Sequence, residues 1–250
     1  MKHYVKHALQ KRQTMKDNLY GTRLYINFSQ LEKNIKAINR AANDCEIIAM
    51  VKANAYGHGD IAISLKMEEL GVNYFGVADF EEGIRLRDSG IKNSIIVMNP
   101  GVQNIGAVMD YNLEPVIYSN KILLALQDAI CKNDSLCKTN PISIHLKINT
   151  GMNRLGINLD DFEELFKKVK SLNTSEIVLM SHLSASSVKD DPHTLSQIKI
   201  FNDLVNGISC KKSLSNSGAV FNMPEAEHDI VRPGMAIYGG KYNEFGTKNV

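Results

Sequence analysis

Eight short apolar runs, separated by segments with helical periodicity, constrain the fold of this chain more than any other feature. They recur at intervals of roughly 20–30 residues, the length of one strand-plus-helix unit. Alternating strands and helices are typical of a parallel sheet, and eight parallel strands can close into a barrel. The sequence therefore predicts an α/β protein with a (β/α)8 barrel of the TIM type, and an open, doubly wound sheet is the alternative. The runs are Glu46–Lys52, Tyr74–Ala78, Ser94–Met98, Glu114–Tyr118, Ser143–Asn149, Glu176–Leu183, Lys212–Ser215 and Asp229–Arg232.

A further apolar run near the start of the chain has a helix signal behind it. The run is Arg23–Phe28, and Ser29 and Glu32 follow it with the spacing of a capping box. In a capping box the serine hydroxyl and the glutamate carboxylate bind free backbone N–H groups at the start of a helix. The sequence therefore predicts a helix that begins at Ser29.

Composition and charge exclude several classes of protein. The 250 residues, of which 44% are apolar, suffice for one large core, and the net charge is only +2. The first sixteen residues are basic, but we expect a solvated extension over residues 1–20 rather than an arm that binds nucleic acid or a membrane. No apolar stretch has the length of a signal peptide core or a membrane span. We therefore expect a cytoplasmic protein with neither nucleic acid nor membrane as a partner.

The four cysteines indicate neither a metal site nor a disulfide framework. They form no Cys-x-x-Cys pair, and no histidine accompanies them at the spacing of metal ligands. We expect reduced thiols that act as small apolar side chains. The cysteines are Cys45, Cys131, Cys137 and Cys210.

A lysine stands at the end of the first predicted strand, on the barrel face that carries active sites. Lys52 lies between apolar residues, where partial desolvation favours a neutral amine that can attack an aldehyde. Residues 49–59, AMVKANAYGHG, resemble the motif to which alanine racemases attach pyridoxal 5′-phosphate (PLP). The resemblance implies that Lys52 binds PLP covalently and acts as an acid/base at the substrate α-carbon. It also implies that Tyr56 contacts the PLP phosphate.

A second segment resembles the same family at the end of the fifth predicted strand. Residues 145–156 read HLKINTGMNRLG. The resemblance implies that Arg154 holds the substrate carboxylate and that Lys147 is the lysine often found carbamylated in the family. Carbamylation would turn a buried cation beside Arg154 into its anionic partner, and an unmodified strand lysine is the alternative. Asn149 departs from the family pattern, in which an aspartate is common.

The sixth predicted strand ends at a histidine. A lone histidine is usually structural, and that remains the alternative for His182. Its place at a strand end, in a series that already resembles alanine racemases, implies an imidazole that packs against the pyridine ring. We count Lys52, Arg154 and His182 as the predicted catalytic residues.

The loops after the last two predicted strands form a candidate phosphate site. Barrels often bind phosphate through these loops, with backbone N–H groups and hydroxyls. The loops contain LSNSG at residues 214–218 and RPGM at residues 232–235. The resemblance implies cofactor contacts from Asn216, from the Ser217 hydroxyl, and from the backbone amides of Gly234 and Met235.

Arg232 carries the most mechanistic information. PLP enzymes place either an acid or an arginine against the pyridine nitrogen. An arginine is always a donor, so it can bind only an unprotonated ring nitrogen. The resemblance assigns Arg232 this role, which couples proton removal closely to proton return at the α-carbon.

The matching segments run in order from about Arg23 to Gly239. We expect a basic extension at residues 1–20, the PLP barrel at residues 21–240, and a linker at residues 241–250 toward a C-terminal β-domain that this sequence lacks. In the family that domain supplies the second acid/base, a tyrosine of the partner subunit in a homodimer. We therefore expect PLP binding but slow alanine racemisation from this chain alone.

Three other functions fit parts of the pattern. A single-domain PLP carrier would also be one barrel, but it would not need an arginine for a substrate carboxylate, such as Arg154. A related barrel decarboxylase needs an acid at the pyridine nitrogen, where this chain offers Arg232. A barrel without a cofactor would leave the Lys52 segment unexplained. The favoured function is a racemase that supplies D-alanine for the cell wall.

Overall fold

A computed structural model describes residues 24–132, 141–240 and 247–250 of the chain. The predicted extension at residues 1–20 lies outside the described residues. Within them the chain forms eight strands, all paired in parallel. The strands are β1 Glu46–Met50, β2 Tyr74–Val77, β3 Ser94–Val97, β4 Glu114–Ile117, β5 Ile142–Lys147, β6 Thr174–Met180, β7 Lys211–Ser213 and β8 Ile230–Val231.

The strands follow one another around a barrel in chain order. β1 pairs with β2 on one side and with β8 on the other, so the sheet order runs from β7 down to β1 and then to β8. Between β7 and β8 a single parallel bridge joins Asn216 to Arg232, and the Arg232 N–H donates to the Ser215 carbonyl at 2.8 Å. The predicted (β/α)8 barrel is confirmed, and the open doubly wound sheet is wrong.

An α-helix follows each of the first seven strands, as a barrel requires, and one helix precedes β1. Among the described residues, none of the helices combines the length and the apolar character needed to cross a bilayer. The helices are α1 Phe28–Ala41, α2 Asp60–Glu69, α3 Phe80–Asp88, α4 Ile105–Asp110, α5 Asn120–Lys132, α6 Phe162–Lys170, α7 Pro192–Val205 and α8 Ser217–Asn222.

The predicted N-cap of α1, Ser29, is wrong by two residues. Asn27, not Ser29, is the N-cap, and its side chain accepts the Gln30 N–H at 3.0 Å. Ser29 therefore lies inside the helix and is not its cap, and the Glu32 carboxylate pairs with Lys36, one turn along the helix. The described part of the run Arg23–Phe28 before the helix forms no strand, because it has no neighbouring strand in the closed barrel.

Alternating side chains divide the core into two layers, as the two-residue period of a strand dictates. Side chains such as Ile48, Ile96 and Val178 fill the inside of the barrel, and larger clusters pack between the sheet and the helices. Lys147 is the last residue of β5, on the same strand face as His145, and both are buried. At the carboxyl end of β5, the inside of the barrel therefore ends in the polar side chain of Lys147.

The last residues of the chain lie against α1. The Asn34 amide donates to the Lys248 carbonyl at 2.7 Å, the Lys248 N–H donates to the Asn34 Oδ1 at 3.0 Å, and Val250 packs on the adjacent core. Of the predicted linker at residues 241–250, residues 241–246 lie outside the described residues. The described remainder, 247–250, is therefore docked on the barrel.

Candidate active site

A cavity of about 370 Å³ opens at the carboxyl ends of the strands. This is the barrel face on which active sites lie, and the volume falls in the range of small-molecule pockets. All ten residues that the sequence nominated line this one cavity. They are Lys52, Tyr56, Lys147, Arg154, His182, Asn216, Ser217, Arg232, Gly234 and Met235.

Lys52 begins a left-handed turn rather than ending a strand. β1 stops at Met50, and the four residues 53–56 have φ between 52° and 55°. None of the four is glycine, and left-handed backbone costs about 1–2 kcal/mol for each such residue. Such strain persists only where the surrounding structure over-determines it. The turn leaves Lys52 half-buried at the cavity, with its Nζ 6.0 Å from the centre of the Tyr56 ring.

Tyr56 lies against the loop that follows β8. A Cβ atom added to Gly234 would overlap the Tyr56 hydroxyl, so only glycine allows this approach. Behind Tyr56, the Tyr238 ring packs at 5.1 Å between centroids and stacks on His58 at 4.8 Å. The buried Tyr238 hydroxyl donates to the Met50 carbonyl at 2.9 Å, and burial raises its pKa well above the ordinary value. Tyr56, the last residue of the Lys52 turn, thus contacts both Tyr238 and the β8 loop.

Ser217 ties the β7 loop to the β8 loop. Its Oγ accepts the Gly234 N–H at 2.8 Å and the Ala236 N–H at 3.2 Å. A hydroxyl oxygen has two acceptor sites and one proton to donate. With both acceptor sites used, the Ser217 O–H is left to donate into the cavity. The Gly234 amide, which was predicted to face the phosphate, donates to Ser217 in this structure.

Asn216 lines the cavity but bonds within the protein. Its Oδ1 accepts the Ala219 N–H at 3.3 Å, which caps α8, and also accepts the Ser186 hydroxyl. Its amide donates to the Leu183 carbonyl at 3.0 Å. Asn216 therefore connects the β7 loop to the β6 loop.

Arg232 is buried at the floor of the cavity. Its guanidinium donates to the Ser213 Oγ at 2.5 Å, to the Leu214 carbonyl at 3.4 Å and to the Ser181 carbonyl. Burial lowers its pKa to about 10, still far above neutral pH. The hydrogen bonds to the ends of β6 and β7 hold this cation in place, and no carboxylate in the described part of the chain pairs with it.

Four cations surround the cavity: Lys52, Lys147, Arg154 and Arg232. Among the residues that the structure describes, no aspartate or glutamate lines it. Burial, and then the charges of the other three, lower the pKa of Lys147 to about 8. Burial and the same four cations lower the pKa of His182 to about 3, so its imidazole is neutral. An anion in this cavity would relieve the mutual repulsion of these groups.

This donor set fits PLP. The cofactor brings an anionic phosphate for the cations and hydroxyls, an aldehyde for a lysine, and a ring nitrogen that can accept a hydrogen bond from an arginine. Each of these has a matching group of the chain on the cavity wall. The strand ends that carry Lys52, Ser217 and Arg232 come from β1, β7 and β8, which are neighbours in the barrel.

Comparison with known proteins agrees with this geometry. The family model for the N-terminal domain of alanine racemase matches residues 26–242. The chain belongs to the alanine racemase family. An alanine racemase of Rickettsia typhi is 35% identical over 222 residues, which cover 86% of this chain and 54% of that protein. One of Carboxydothermus hydrogenoformans is 30% identical and covers 86% of this chain and 59% of that protein.

Solved structures of alanine racemases share the fold. The enzyme of Acinetobacter baumannii superposes with a TM-score of 0.78 at 28% identity, over 87% of this chain and 63% of that one. The alanine racemase of Bartonella henselae, solved with covalently bound pyridoxal phosphate, gives 0.78 at 25% identity, over 90% of this chain and 66% of that one. The chain spans about three-fifths of the length of the curated relatives it matches.

Two residues of this alanine racemase domain were missed from the sequence. Tyr238 supports Tyr56 from behind, and Glu82 binds the backbone beside Lys52. The only sequence signal for Glu82 is its place three residues after Asp79, which fits a capping box. Asn149, the departure from the family pattern, accepts the N–H groups of Gly151 and Asn153 at 3.2 and 3.0 Å. An amide thus orders this loop, but it brings no negative charge.

The lowered pKa of His182 predicts an effect on acid stability. The imidazole stays neutral in the fold while the unfolded chain becomes protonated below pH 6.5, so stability is lost as pH falls from 6.5 toward 3. In His182→Asn the fall should be shallower than in the wild type by up to ~1.4 kcal/mol per pH unit. Urea unfolding of the PLP-free protein at several pH values measures this dependence of the free energy of unfolding on pH. The exposed His193 gives the control His193→Asn, and parallel curves for His182→Asn and wild type would refute the burial effect.

Proposed function

We propose that the chain is the PLP-binding barrel of an alanine racemase that interconverts L- and D-alanine. One observation carries the proposal: a half-buried lysine and three further cations share a cavity that no carboxylate of the described residues lines. Such a cavity suits an anionic cofactor and an amino-acid carboxylate together. The alanine racemases that the chain matches support the same function, and the chain covers about three-fifths of their length.

We propose that Lys52 holds the PLP aldehyde carbon and that the hydroxyls of Tyr56 and Ser217 bind the phosphate. The Tyr56 hydroxyl lies where a side chain at Gly234 would begin, and the Ser217 hydroxyl accepts the Gly234 N–H. The two hydroxyl oxygens therefore lie close together. The Met235 amide is a further phosphate donor on the same loop. Asn216 acts beside them by fixing the β7 loop.

The other side of the cavity is proposed to hold the ring and the substrate. Arg232 would donate to the pyridine nitrogen and keep it unprotonated, because a guanidinium does not give up its proton at neutral pH. The neutral His182 imidazole would pack against the ring. When bound, PLP withdraws electrons from the substrate α-carbon and so makes its proton acidic. Arg154 would hold the substrate carboxylate, while Lys52 Nζ removes or returns the proton on one face of the α-carbon.

Lys147 is proposed to be carbamylated. A pKa of about 8 leaves an appreciable fraction of neutral amine near neutral pH. The amine nitrogen bonds to the carbon of CO2 and loses one proton, which gives a carbamate anion among Arg154 and Arg232. We expect a carbamate carbon signal by NMR in isotopically labelled bicarbonate, and its loss in Lys147→Met. A spectrum that is the same in both proteins would contradict carbamylation.

The second acid/base is proposed to come from a partner subunit in a homodimer, acting in the cytoplasm to supply D-alanine. The 250-residue polypeptide, assayed by itself, would then act mainly through Lys52. Losing one of two acid/base groups costs roughly 10²–10⁴-fold in rate.

The proposed activity is tested with the PLP-loaded protein and D-alanine in deuterium oxide. We expect exchange of the Cα proton with solvent, seen by NMR, and slow appearance of L-alanine, seen by chiral chromatography. Lys52→Ala should show neither. PLP binding without any Cα exchange would contradict the racemase and favour a PLP carrier, and fast racemisation would contradict the need for a second group.

A further inference from the structure

The left-handed turn after Lys52 is held from outside by one carboxylate. Glu82 Oε1 accepts the Ala53 N–H at 2.6 Å, and Glu82 Oε2 accepts the Ala78 N–H at 2.8 Å. Ala53 is the residue after Lys52, and Ala78 is the residue after β2. One side chain therefore joins the Lys52 segment, the end of β2 and helix α3.

This arrangement differs from ordinary helix capping. The Asp79 side chain accepts the Glu82 N–H at 3.0 Å, which is half of a capping box. In a complete box the glutamate would bind the N–H of the capping residue itself. Glu82 instead binds the residue before the cap and reaches across to Ala53. The hydrogen bond from Ala53 to Glu82 does not cap α3, and it orders only the neighbouring turn.

Helix α3 also reaches the turn by a second route, through Asp60. Arg85, three residues after Glu82, donates through Nε to the Asp60 Oδ2 at 2.9 Å. The Asp60 N–H in turn donates to the Asn54 side chain at 3.0 Å. The turn is thus linked to α3 at two successive residues, Ala53 directly and Asn54 through Asp60, and these contacts help four successive left-handed residues to persist.

We propose that Glu82 is a positioning residue that directs Lys52 into the cavity by locking the left-handed turn. The inference rests on the proposed role of Lys52 as the PLP lysine. Glu82 does not touch the cofactor in this role. It acts through the backbone, so its loss should loosen the Lys52 segment while the barrel stays folded.

The backbone effect is tested without PLP, by amide hydrogen exchange. Glu82→Ala should speed exchange at Ala53 and Ala78, on the order of 10-fold for each charge-assisted hydrogen bond lost. Glu82→Gln keeps one acceptor oxygen, so it should affect one of the two amides more than the other. The exposed neighbour gives the matched control Glu81→Ala, which should leave both amides unchanged. If Glu82→Ala does not fold, Glu82→Gln decides the test alone.

The consequence for Lys52 is tested in the PLP-loaded protein, by the rate at which hydroxylamine captures the cofactor. We expect capture in Glu82→Ala to be at least about 10-fold faster than in Glu81→Ala, with an intermediate rate in Glu82→Gln. Equal exchange and equal capture in the Glu82 and Glu81 variants would overturn the inference. Failure of the wild type to bind PLP would instead overturn the proposed function, and the exchange measurement would still test whether Glu82 holds the turn.

Discussion

In Lys52→Ala, covalent attachment of PLP is expected to disappear, together with the visible absorbance band of the lysine-bound cofactor. Lys52 lies two residues after the end of β1 and is half-buried where it lines the cavity. Lys52→Ala removes both the amine that attaches PLP and the group that carries the proton. Cα exchange should therefore fall by at least about 10²-fold. Absorbance titration with PLP measures the first effect, and NMR in deuterium oxide measures the second.

The control and the contrary outcome are both available in the same chain. Lys92 is exposed and distant from the cavity lining, so Lys92→Ala should titrate like the wild type. Because the phosphate site would survive in Lys52→Ala, PLP should still bind without a covalent bond, and dialysis should remove it. An unchanged visible band in Lys52→Ala would exclude this lysine as the point of attachment.

Gly234→Ala is expected to weaken PLP binding strongly. The new Cβ would occupy the place of the Tyr56 hydroxyl and lie 3.4 Å from the Met50 Cβ. Either Tyr56 or the β8 loop must move, and overpacking of this kind costs about 1–3 kcal/mol. Moving the loop would also displace the Gly234 N–H from Ser217. We expect a rise in the Kd for PLP of roughly 5–150-fold, since each 1.4 kcal/mol is tenfold.

A matched glycine separates this effect from the general effect of adding a methyl group. Gly106 lies within α4, and a Cβ there would meet nothing within 4 Å. Gly106→Ala should bind PLP normally and be slightly more stable, because alanine favours a helix. Equal PLP affinity in Gly234→Ala and Gly106→Ala would show that the contact of Tyr56 with the β8 loop does not shape the phosphate site.

The sequence predicted the part of the fold and site that depends on strand order. Once eight runs were recognised, the barrel brought Lys52, His182, Ser217 and Arg232 to one face, because the carboxyl ends of parallel strands meet there. The cavity contains all the residues nominated in this way. Their individual roles stay predictions.

The turn after Lys52 could not be predicted. Alanine and tyrosine disfavour the left-handed backbone that residues 53–56 adopt, and asparagine visits it only as a single residue. That conformation depends on contacts from Glu82 and Asp60, one of them 29 residues away in the chain. The cap of α1 is a more local difference. Asn27 and Ser29 are both residue types that cap helices, and Asn27, the earlier of the two, is the cap in the structure. Local patterns thus located the site, while its detailed geometry comes from tertiary contacts.

Borohydride reduction of the PLP-loaded protein, followed by peptide mass spectrometry, tests most directly that Lys52 is the lysine that holds the cofactor. Reduction turns the carbon–nitrogen double bond between lysine and cofactor into a stable single bond, so the attached residue can be identified. We predict a pyridoxyl phosphate adduct on Lys52 and none on Lys147 or the surface lysines. An adduct mainly on any other lysine, or no adduct at saturating PLP, would contradict the assignment.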